Sequence, residues 1–208
     1  MAIEERYDEI LSAAREVIAR RGFAQASIRE IAQGAGLSLA GLYHYVGGKE
    51  ELLFLVLDRS LDGLLASLDA ALAATRTPEG RLLALVRTHL EFGFQQPAAL
   101  KIINRDYELV DAPRRAEIGA KRQAYLRRGL GILRELDPHD RAEDDLLSAV
   151  TLLLGMLNGI ATRPFVRSGD DAPALAAEVA ALFLYGFLER TAEAAGAPAG
   201  APGGEHDA

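Results

Sequence analysis

The residues whose types and spacing could do chemistry are concentrated between positions 38 and 49. The segment begins with small or apolar residues and continues with polar aromatic side chains and a lysine: Ser38, Leu39, Ala40, Gly41, Tyr43, His44, Tyr45 and Lys49. Small residues at the start of a short helix let its backbone approach base edges in the major groove of DNA. Hydroxyl and ammonium groups suit phosphate oxygens. The segment therefore predicts a surface that contacts DNA.

Histidine and cysteine usage argues against an enzyme or a metalloprotein. The chain has no cysteine, so disulfides, thiolate chemistry and cysteine-ligated metals are excluded. The histidines stand in unrelated sequence settings, at His44, His89, His139 and His206. The sequence contains no HExxH pattern, nucleophile elbow, phosphate loop or paired-carboxylate metal pattern. We therefore expect no catalytic residue, no metal site and no cofactor.

The elements that must position the 38–49 segment are all helical. Ala, Leu, Arg and Glu dominate and runs of alternating apolar and polar residues are missing, which is typical of an all-α protein. Apolar residues follow helical spacing from 7 to 21, and Ser27-Ile28-Arg29-Glu30 has the pattern of a capping box. Gly34-Ala35-Gly36 then breaks the second helix before Ser38 begins a third. Short helices with a glycine turn between them predict a helix-turn-helix.

Turn residues divide the rest of the chain into longer helices, for about nine in all. We place these longer helices at 49–74, 78–95, 97–109, 113–135, 141–163 and 173–194. The sequence therefore predicts a helix-turn-helix DNA-binding domain over 1–48 and a helical ligand-binding and dimerisation domain over 49–194. Residues 195–208 are rich in Ala, Gly and Pro and predict a disordered tail.

The charge distribution limits how the chain can meet a nucleic acid. The net charge is −7, of which residues 1–50 contribute only −1, so a DNA partner must be met by a local patch. No stretch approaches the roughly 18 uninterrupted apolar residues of a membrane span. The N-terminus also lacks the basic-then-apolar order of a signal peptide. We expect a cytoplasmic protein with no membrane partner.

Three runs in the first sixty residues carry a family signature. They are Ser27-Ile28-Arg29-Glu30-Ile31-Ala32, Ala35-Gly36-Leu37-Ser38-Leu39-Ala40-Gly41-Leu42-Tyr43-His44-Tyr45, and Lys49-Glu50-Glu51-Leu52-Leu53. Together they resemble the DNA-binding signature of the tetracycline-repressor (TetR/AcrR) family. Val46-Gly47-Gly48 departs from the usual family pattern, and its two glycines predict a looser hinge into the fourth helix.

The resemblance implies roles for individual residues. In the family the third helix reads the operator, the residues that correspond to Tyr43 and Lys49 contact the phosphate backbone, and the residue that corresponds to Ser27 joins them. Arg29 and His44 are further candidates for DNA contact, although both also suit solvated surface positions. The resemblance also implies a cytoplasmic homodimer, in which the last two helices of each subunit form the interface.

Two C-terminal stretches, 146–160 and 174–188, are apolar on nearly all sides. A helix without a polar face has to be buried on every side, so we predict that both helices take part in a two-fold dimer. Such a dimer would place two reading helices about 34 Å apart, which fits successive major grooves of a palindrome. The candidate interface residues are Leu152, Gly155, Met156, Gly159, Val179, Phe183 and Phe187.

The middle helices combine bulky apolar residues with isolated polar ones. This combination predicts a pocket for a mostly apolar ligand with one or two polar anchors. The candidate ligand-binding residues are Phe92, Ile103, Asn104, Tyr107, Tyr125, Asn158 and Arg163. The segments 104–109, 113–125 and 163–165 resemble family members that respond to fatty-acyl or other CoA thioesters. Basic residues recur along 113–135, where they suit a solvated face or a ligand phosphate.

The sequence thus favours a ligand-responsive repressor that binds a palindromic operator as a dimer. A hydrophobic small molecule, of which a CoA thioester is one candidate, would release it by shifting the conformational population, with helix 49–74 as the lever between the reading heads. Two alternatives remain open. One is a repressor of a drug-efflux gene with an unrelated lipophilic ligand, and the other is a helical adaptor that binds only protein.

Overall fold

The computed structural model describes residues 2–162 and 172–189, and within these ranges the regular elements are helices. The N-terminal head consists of α1 (Ala2–Arg21), α2 (Ile28–Gly34) and α3 (Leu39–Tyr43). The body consists of α4 (Lys49–Ala73), α5 (Pro78–Gln95), α6 (Pro97–Arg105), α7 (Ala112–Leu136), α8 (Glu143–Ala161) and α9 (Ala172–Glu189). The predicted all-α fold is confirmed, whereas the tail over 195–208 lies outside the described residues.

The helices of the head begin where side-chain caps allow. The Ser27 hydroxyl accepts a hydrogen bond from the Arg29 amide, and the Glu30 carboxylate accepts one from the Ser27 amide, so the predicted capping box is present. The Ser38 hydroxyl accepts from the Gly41 amide at 3.0 Å and starts α3.

Two glycines turn the chain between these helices. Gly22 has φ +82° directly after α1, and Gly36 has φ +64° between α2 and α3. These left-handed conformations favour glycine because a Cβ would clash with the backbone. The glycine positions therefore set the length of both connections in the head.

The sixth helix is shorter than the predicted 97–109. It ends at Arg105, and Tyr107–Leu109 forms a single 3₁₀ turn. The side chain of Asp106 lies at the break, 3% exposed as a residue, and its carboxylate accepts hydrogen bonds from the Arg105 guanidinium at 2.6 and 2.9 Å. The α6 helix thus ends at an ion pair between exposed Arg105 and buried Asp106, which the apolar pattern alone did not indicate.

One continuous apolar core joins head and body. Ile10 and Ile18 of α1 and Leu53 and Leu57 of α4 are all fully buried, and they belong to the same cluster as Leu153 of α8. The predicted domain boundary falls at the turn before α4. The α4 helix nevertheless packs against α1 as well as α5 and α7, so it connects the head to the body.

The eighth helix is long and apolar enough to cross a membrane by length and composition, which the sequence analysis did not anticipate. In this fold α8 packs against α5 and α7 and buries Leu146, Val150, Leu153 and Leu157. It therefore behaves as a core helix of a bundle on one side, and it leaves apolar residues exposed on the other.

Candidate nucleic-acid interface and internal cavity

The third helix presents one face to solvent and anchors the other in the core. Leu42 is fully buried, whereas the side chain of Tyr43 is half exposed and Ala40 and His44 are exposed. Ser38 is also exposed, although its hydroxyl already caps the helix. One buried leucine thus fixes the orientation of a helix whose outer face is free for a partner.

The remaining residues predicted to contact DNA surround this face with different degrees of exposure. Arg29 is exposed and Ser27 is partly exposed; the Ser27 oxygen accepts a hydrogen bond, which leaves its O–H free to donate. Leu39 and Gly41 are half-buried. Tyr45 is also half-buried and packs against the core, so less of it is available than of Tyr43.

Lys49, for which the resemblance implies a phosphate contact, also has partners within the chain. Its ammonium donates to the carbonyl oxygens of Phe23 at 2.9 Å and Ala24 at 3.4 Å, and it lies 4.5 Å from the centroid of the Phe23 ring. Carbonyls that follow a helix C-terminus attract a cation. Lys49 therefore fastens the start of α4 to the α1–α2 turn, and one of its three N–H donors is left for a further acceptor.

The turn before α4 is more constrained than its two glycines predicted. The Gly47 amide, one residue before the N-cap Gly48, donates to the Glu51 carboxylate at 2.5 Å. Gly48 is extended, with φ 168° and ψ −175°. The hinge that was expected to be loose is therefore constrained at two points. Glu51 binds the Gly47 amide, and Lys49 binds the Phe23 carbonyl in the α1–α2 turn.

A cavity of about 370 Å³ lies among α4, α5, α6, α7 and α8. Ile103, Asn104, Tyr125 and Asn158 line it, as predicted from the sequence. Phe92 is instead buried in the core, Tyr107 is not among the lining residues, and Arg163 lies outside the described residues. Leu100 also lines the cavity, as does Arg122, one of the basic residues of 113–135 for which a solvated face or a ligand phosphate was expected. The remaining lining residues were not predicted from the sequence: Leu61, Leu64, His89, Gln123, Leu126, Thr151, Leu154 and Gly155.

A hydrogen-bonded network lines one side of the cavity and runs from buried His89 and Tyr125 to half-buried Asn158 and exposed Asn104. The His89 ring lies between Tyr125, whose oxygen is 3.2 Å from Nδ1, and Asn158, whose Oδ1 is 3.3 Å from Nε2. Asn104 Nδ2 donates to the same Oδ1 at 2.9 Å. Burial lowers the pKa of His89 to about 4 and raises that of Tyr125, so both groups are neutral near pH 7.

Neutral His89 fixes the direction of this network. Asn158 Oδ1 can only accept, so His89 Nε2 carries the proton and donates, and Nδ1 accepts from the Tyr125 hydroxyl. Asn158 Oδ1 thereby accepts two hydrogen bonds, from His89 and Asn104. The amide nitrogen of Asn158 keeps its N–H groups for a ligand, since no partner for it occurs among residues 2–162 and 172–189.

Arg122 is the only charged residue among the described residues that line the cavity. Its Nη1 donates to the Ile103 carbonyl at 2.8 Å, and its guanidinium lies 4.5 Å from the centroid of the Tyr107 ring. No carboxylate in the described part of the chain forms an ion pair with it. Tyr107 thus supports a cavity-lining arginine instead of lining the cavity itself.

Each of the last two helices leaves large apolar residues exposed. Leu152 and Met156 of α8 are 64% and 41% exposed, Gly155 and Gly159 are exposed, and Phe183 is half-buried. Val179 and Phe187 are instead core residues, because this side of α9 packs against α5. The exposed apolar residues of α9 are Leu182, Tyr185 and Leu188, which the sequence analysis did not select.

Two sets of polar contacts connect the cavity helices to their neighbours. On the head side, Arg105 Nη2 donates to the Ile18 carbonyl of α1 at 2.8 Å, and Arg15 of α1 donates to Gln96, before α6, at 3.0 Å. Between α4 and α7, Lys121 pairs with Asp58 and Asp62, and Arg128 pairs with Asp69. The helices that line the cavity are therefore tied to the head at α6 and to each other at α7.

Comparison with known proteins is consistent with this arrangement of a helix-turn-helix head and a helical body. The profile described as bacterial regulatory proteins, tetR family, matches residues 10–56, and that of the tetracyclin repressor-like C-terminal domain matches residues 75–187. The HTH-type transcriptional activator FasR of Mycolicibacterium smegmatis is 38% identical over 89 residues, which cover 43% of this chain and 41% of FasR. The chain thus spans about two fifths of the length of the curated relatives that it matches first.

Solved structures extend the likeness over the whole fold. A TetR-family regulator from Bordetella parapertussis has a TM-score of 0.80 at 26% identity and covers 85% of this chain, with 93% of its own length matched. AibR in complex with isovaleryl coenzyme A and operator DNA has a TM-score of 0.73 at 24% identity, over 88% of this chain and 97% of AibR. The relatives are named as transcriptional regulators and not as enzymes. With both of its parts matched, the chain belongs to the tetR family of bacterial regulatory proteins.

Proposed function

We propose that this protein is a cytoplasmic, ligand-responsive transcriptional repressor that binds a palindromic operator as a homodimer. A mostly apolar small molecule in the cavity releases it from DNA. The effector class that we favour is a fatty-acyl or other CoA thioester, with the acyl part inside the cavity. The complex of AibR with isovaleryl coenzyme A and operator DNA supports this choice through the shared fold.

The observation that carries the proposal is the orientation of α3. Leu42 is fully buried while its neighbour Tyr43 is half exposed, so the helix is fixed in the head with one side open. The proposed DNA contacts are the residues on and around that side: Ser27, Arg29, Ser38, Leu39, Ala40, Gly41, Tyr43, His44, Tyr45 and Lys49. Among them Tyr43 and Arg29 combine exposure with a donor group that suits a phosphate oxygen.

The exposed apolar face of α8 and α9 supports a dimer. Leu152, Met156, Leu182 and Tyr185 are each more than a third exposed, and large apolar groups are rarely left together in water on a monomer. A second copy of the chain that covers this face also explains why α8 is apolar on both sides. Two-fold symmetry would then present two α3 helices to a palindrome.

The effector would act through α6 as well as α4. Asn104 of α6 belongs to the cavity network, and Arg105 holds the last turn of α1. A ligand that shifts α6 changes the position of the head relative to α4. To move most of the protein off its operator, the ligand must favour the released state by several kcal/mol.

The test measures binding of the purified protein to a palindrome from beside its own gene, by fluorescence anisotropy, with a scrambled duplex as the control. We expect a homodimer by light scattering and tight binding to the palindrome alone. If each subunit neutralises about three to five phosphates, log K against log salt has a slope on the order of −5 to −9. Equal affinity for both duplexes, or a flat salt response, would overturn the proposal. If light scattering found a monomer, the proposed binding of a palindrome by a two-fold symmetric dimer would be wrong.

A further inference from the structure

The cavity offers hydrogen-bond donors and one positive charge at fixed places. We propose that the effector is an apolar molecule with a hydrogen-bond acceptor as its head group, a carboxylate or a carbonyl, held by the Asn158 amide and the Arg122 guanidinium. This inference rests on the proposed function and names the ligand chemistry of the same cavity. Such a site would bind acyl compounds in preference to lipophilic cations, which a regulator of drug efflux would have to bind.

The donors follow from the hydrogen-bond network. The Asn158 oxygen is occupied by His89 and Asn104, so only its amide N–H groups can meet a ligand. His89 donates from Nε2 and accepts at Nδ1, so neither of its nitrogens is free. Next to half-buried Asn158 the cavity therefore favours a hydrogen-bond acceptor, because an N–H that loses its water to a ligand without an acceptor lowers the affinity by the cost of desolvation.

The charge balance points the same way. Arg122 contributes the one formal charge of the described lining, and no Asp or Glu lines the cavity there. The carboxylates that lie near Leu61 in the sequence, Asp58 and Asp62, are both paired with Lys121, at 2.5 and 2.6 Å. A ligand cation would enter next to an unpaired guanidinium without a counter-ion, and burial of an unpaired charge is strongly unfavourable.

The acceptors that the lining does offer are at its outer side. Asn104 and Gln123 are exposed residues, so their side-chain oxygens can remain solvated when the cavity is filled. The Thr151 hydroxyl donates to the Leu147 carbonyl in its own helix. The remaining lining is mostly leucine and isoleucine, which suits a hydrocarbon chain. The volume of about 370 Å³ is at the small end of the range for ligand pockets, roughly 300–1,000 Å³.

The experiment compares three probes of equal chain length by calorimetry: decanoate, methyl decanoate and decyltrimethylammonium. We expect decanoate and methyl decanoate to bind the wild-type protein and the ammonium compound to bind at least tenfold more weakly. Arg122→Gln should lower the affinity for decanoate by about tenfold and leave the affinity for methyl decanoate nearly unchanged, because only the carboxylate is attracted by the charge of the guanidinium. Arg127→Gln is the matched control, since Arg127 is exposed on the same helix and does not line the cavity.

Asn158→Leu should weaken both acceptor probes, since both use the amide N–H. The inference is overturned if the ammonium compound binds as tightly as decanoate, if none of the probes binds, or if Arg122→Gln and Arg127→Gln behave alike. Operator binding is measured on the same preparations without any probe. Loss of specific DNA binding there defeats the proposed function, whereas an unexpected order of the probes defeats only the inference about the ligand.

Discussion

Asn104 and Arg105 are neighbours at the end of α6, and their side chains reach different parts of the molecule. Asn104 lines the cavity and donates to Asn158 Oδ1, whereas Arg105 donates to the carbonyl oxygen of Ile18 in the head. A shift of α6 at the cavity is therefore passed to α1 within two residues. We therefore propose a second route from the cavity to the head, beside the lever expected at α4.

Replacement of Arg105 by lysine tests this route. Arg105→Lys keeps a positive charge next to buried Asp106 but loses the planar group that reaches Asp106 and Ile18 together. We expect the affinity for decanoate to stay unchanged and the effect of decanoate on operator affinity to fall about fivefold, which is about 1 kcal/mol of coupling. Operator titrations with and without saturating decanoate measure this. Arg87→Lys, on an exposed residue paired with Glu91, is the control, and equal coupling in both variants would rule out the α6 route.

The hydroxyl of Tyr43 is the clearest single candidate for a phosphate contact. Tyr43→Phe removes that group from a side chain that is half exposed, so the stability of the fold should not change. A hydrogen bond to a charged group contributes about 1.5–3 kcal/mol, and we expect operator affinity to fall at least tenfold. Anisotropy measures the affinity, and Tyr45→Phe, at a half-buried position, should have a smaller effect. If Tyr45→Phe lost more operator affinity than Tyr43→Phe, the phosphate contact would belong to Tyr45 and the prediction would be wrong.

Lys49 has a structural role in the head and a proposed contact with DNA, and two measurements separate them. Lys49→Gln removes the ammonium that holds the Phe23 and Ala24 carbonyls, so we expect a lower free energy of unfolding, by about 1 kcal/mol. If Lys49 also neutralises one phosphate per subunit, the salt slope of the dimer should become less negative by about 2. Denaturant unfolding measures the change in stability, and a salt titration of operator binding measures the change in slope. A changed stability with an unchanged slope would confine Lys49 to the structural role.

Local chemistry made the head predictable from the sequence. The capping box at Ser27 and the cap at Ser38 depend on groups within three residues of each other, so the sequence contains all of their partners. The burial of Leu42 follows from helical spacing. The internal partners of Lys49 could not be predicted, because they lie in the α1–α2 turn about 25 residues away and no local sequence pattern indicates them.

The cavity and the exposed face were predicted only in part, for a related reason. His89 and Arg122 line the cavity through contacts between helices far apart in sequence. From the sequence alone His89 therefore looked isolated, and Arg122 suited a solvated face as well as a ligand phosphate. On α9 the residues are apolar all round, and such a pattern cannot show which side meets the core. The structure buries Phe187 and exposes Tyr185, which only the packing of α9 on α5 decides.

Burial of neutral His89 makes stability depend on pH. Its pKa is lowered from 6.5 to about 4 by burial, so between these values the unfolded chain binds a proton that the folded chain does not. The contribution of neutral His89 to the free energy of unfolding is fully present above pH 6.5, and it is lost as the pH falls toward 4. We expect His89→Gln to flatten the fall in the free energy of unfolding across this window, measured by urea denaturation at several pH values. His139→Gln changes an exposed histidine and should keep the wild-type profile.

Close packing between α7 and α8 depends on Gly129. A Cβ at this position would overlap Cγ2 of Val150 and would lie 3.9 Å from Leu85 Cδ1, so alanine fits only if the Val150 side chain or α8 moves. Gly131 is two residues further on the same helix, is exposed, and has open space around its Cβ position. We expect Gly129→Ala to lower the free energy of unfolding by about 1–3 kcal/mol through overpacking. Gly131→Ala should raise it by roughly 0.5–1 kcal/mol, because alanine favours the helix. Chemical denaturation of the two variants measures both changes in the free energy of unfolding. A Gly129→Ala variant more stable than the wild type would contradict the close packing of α7 on α8.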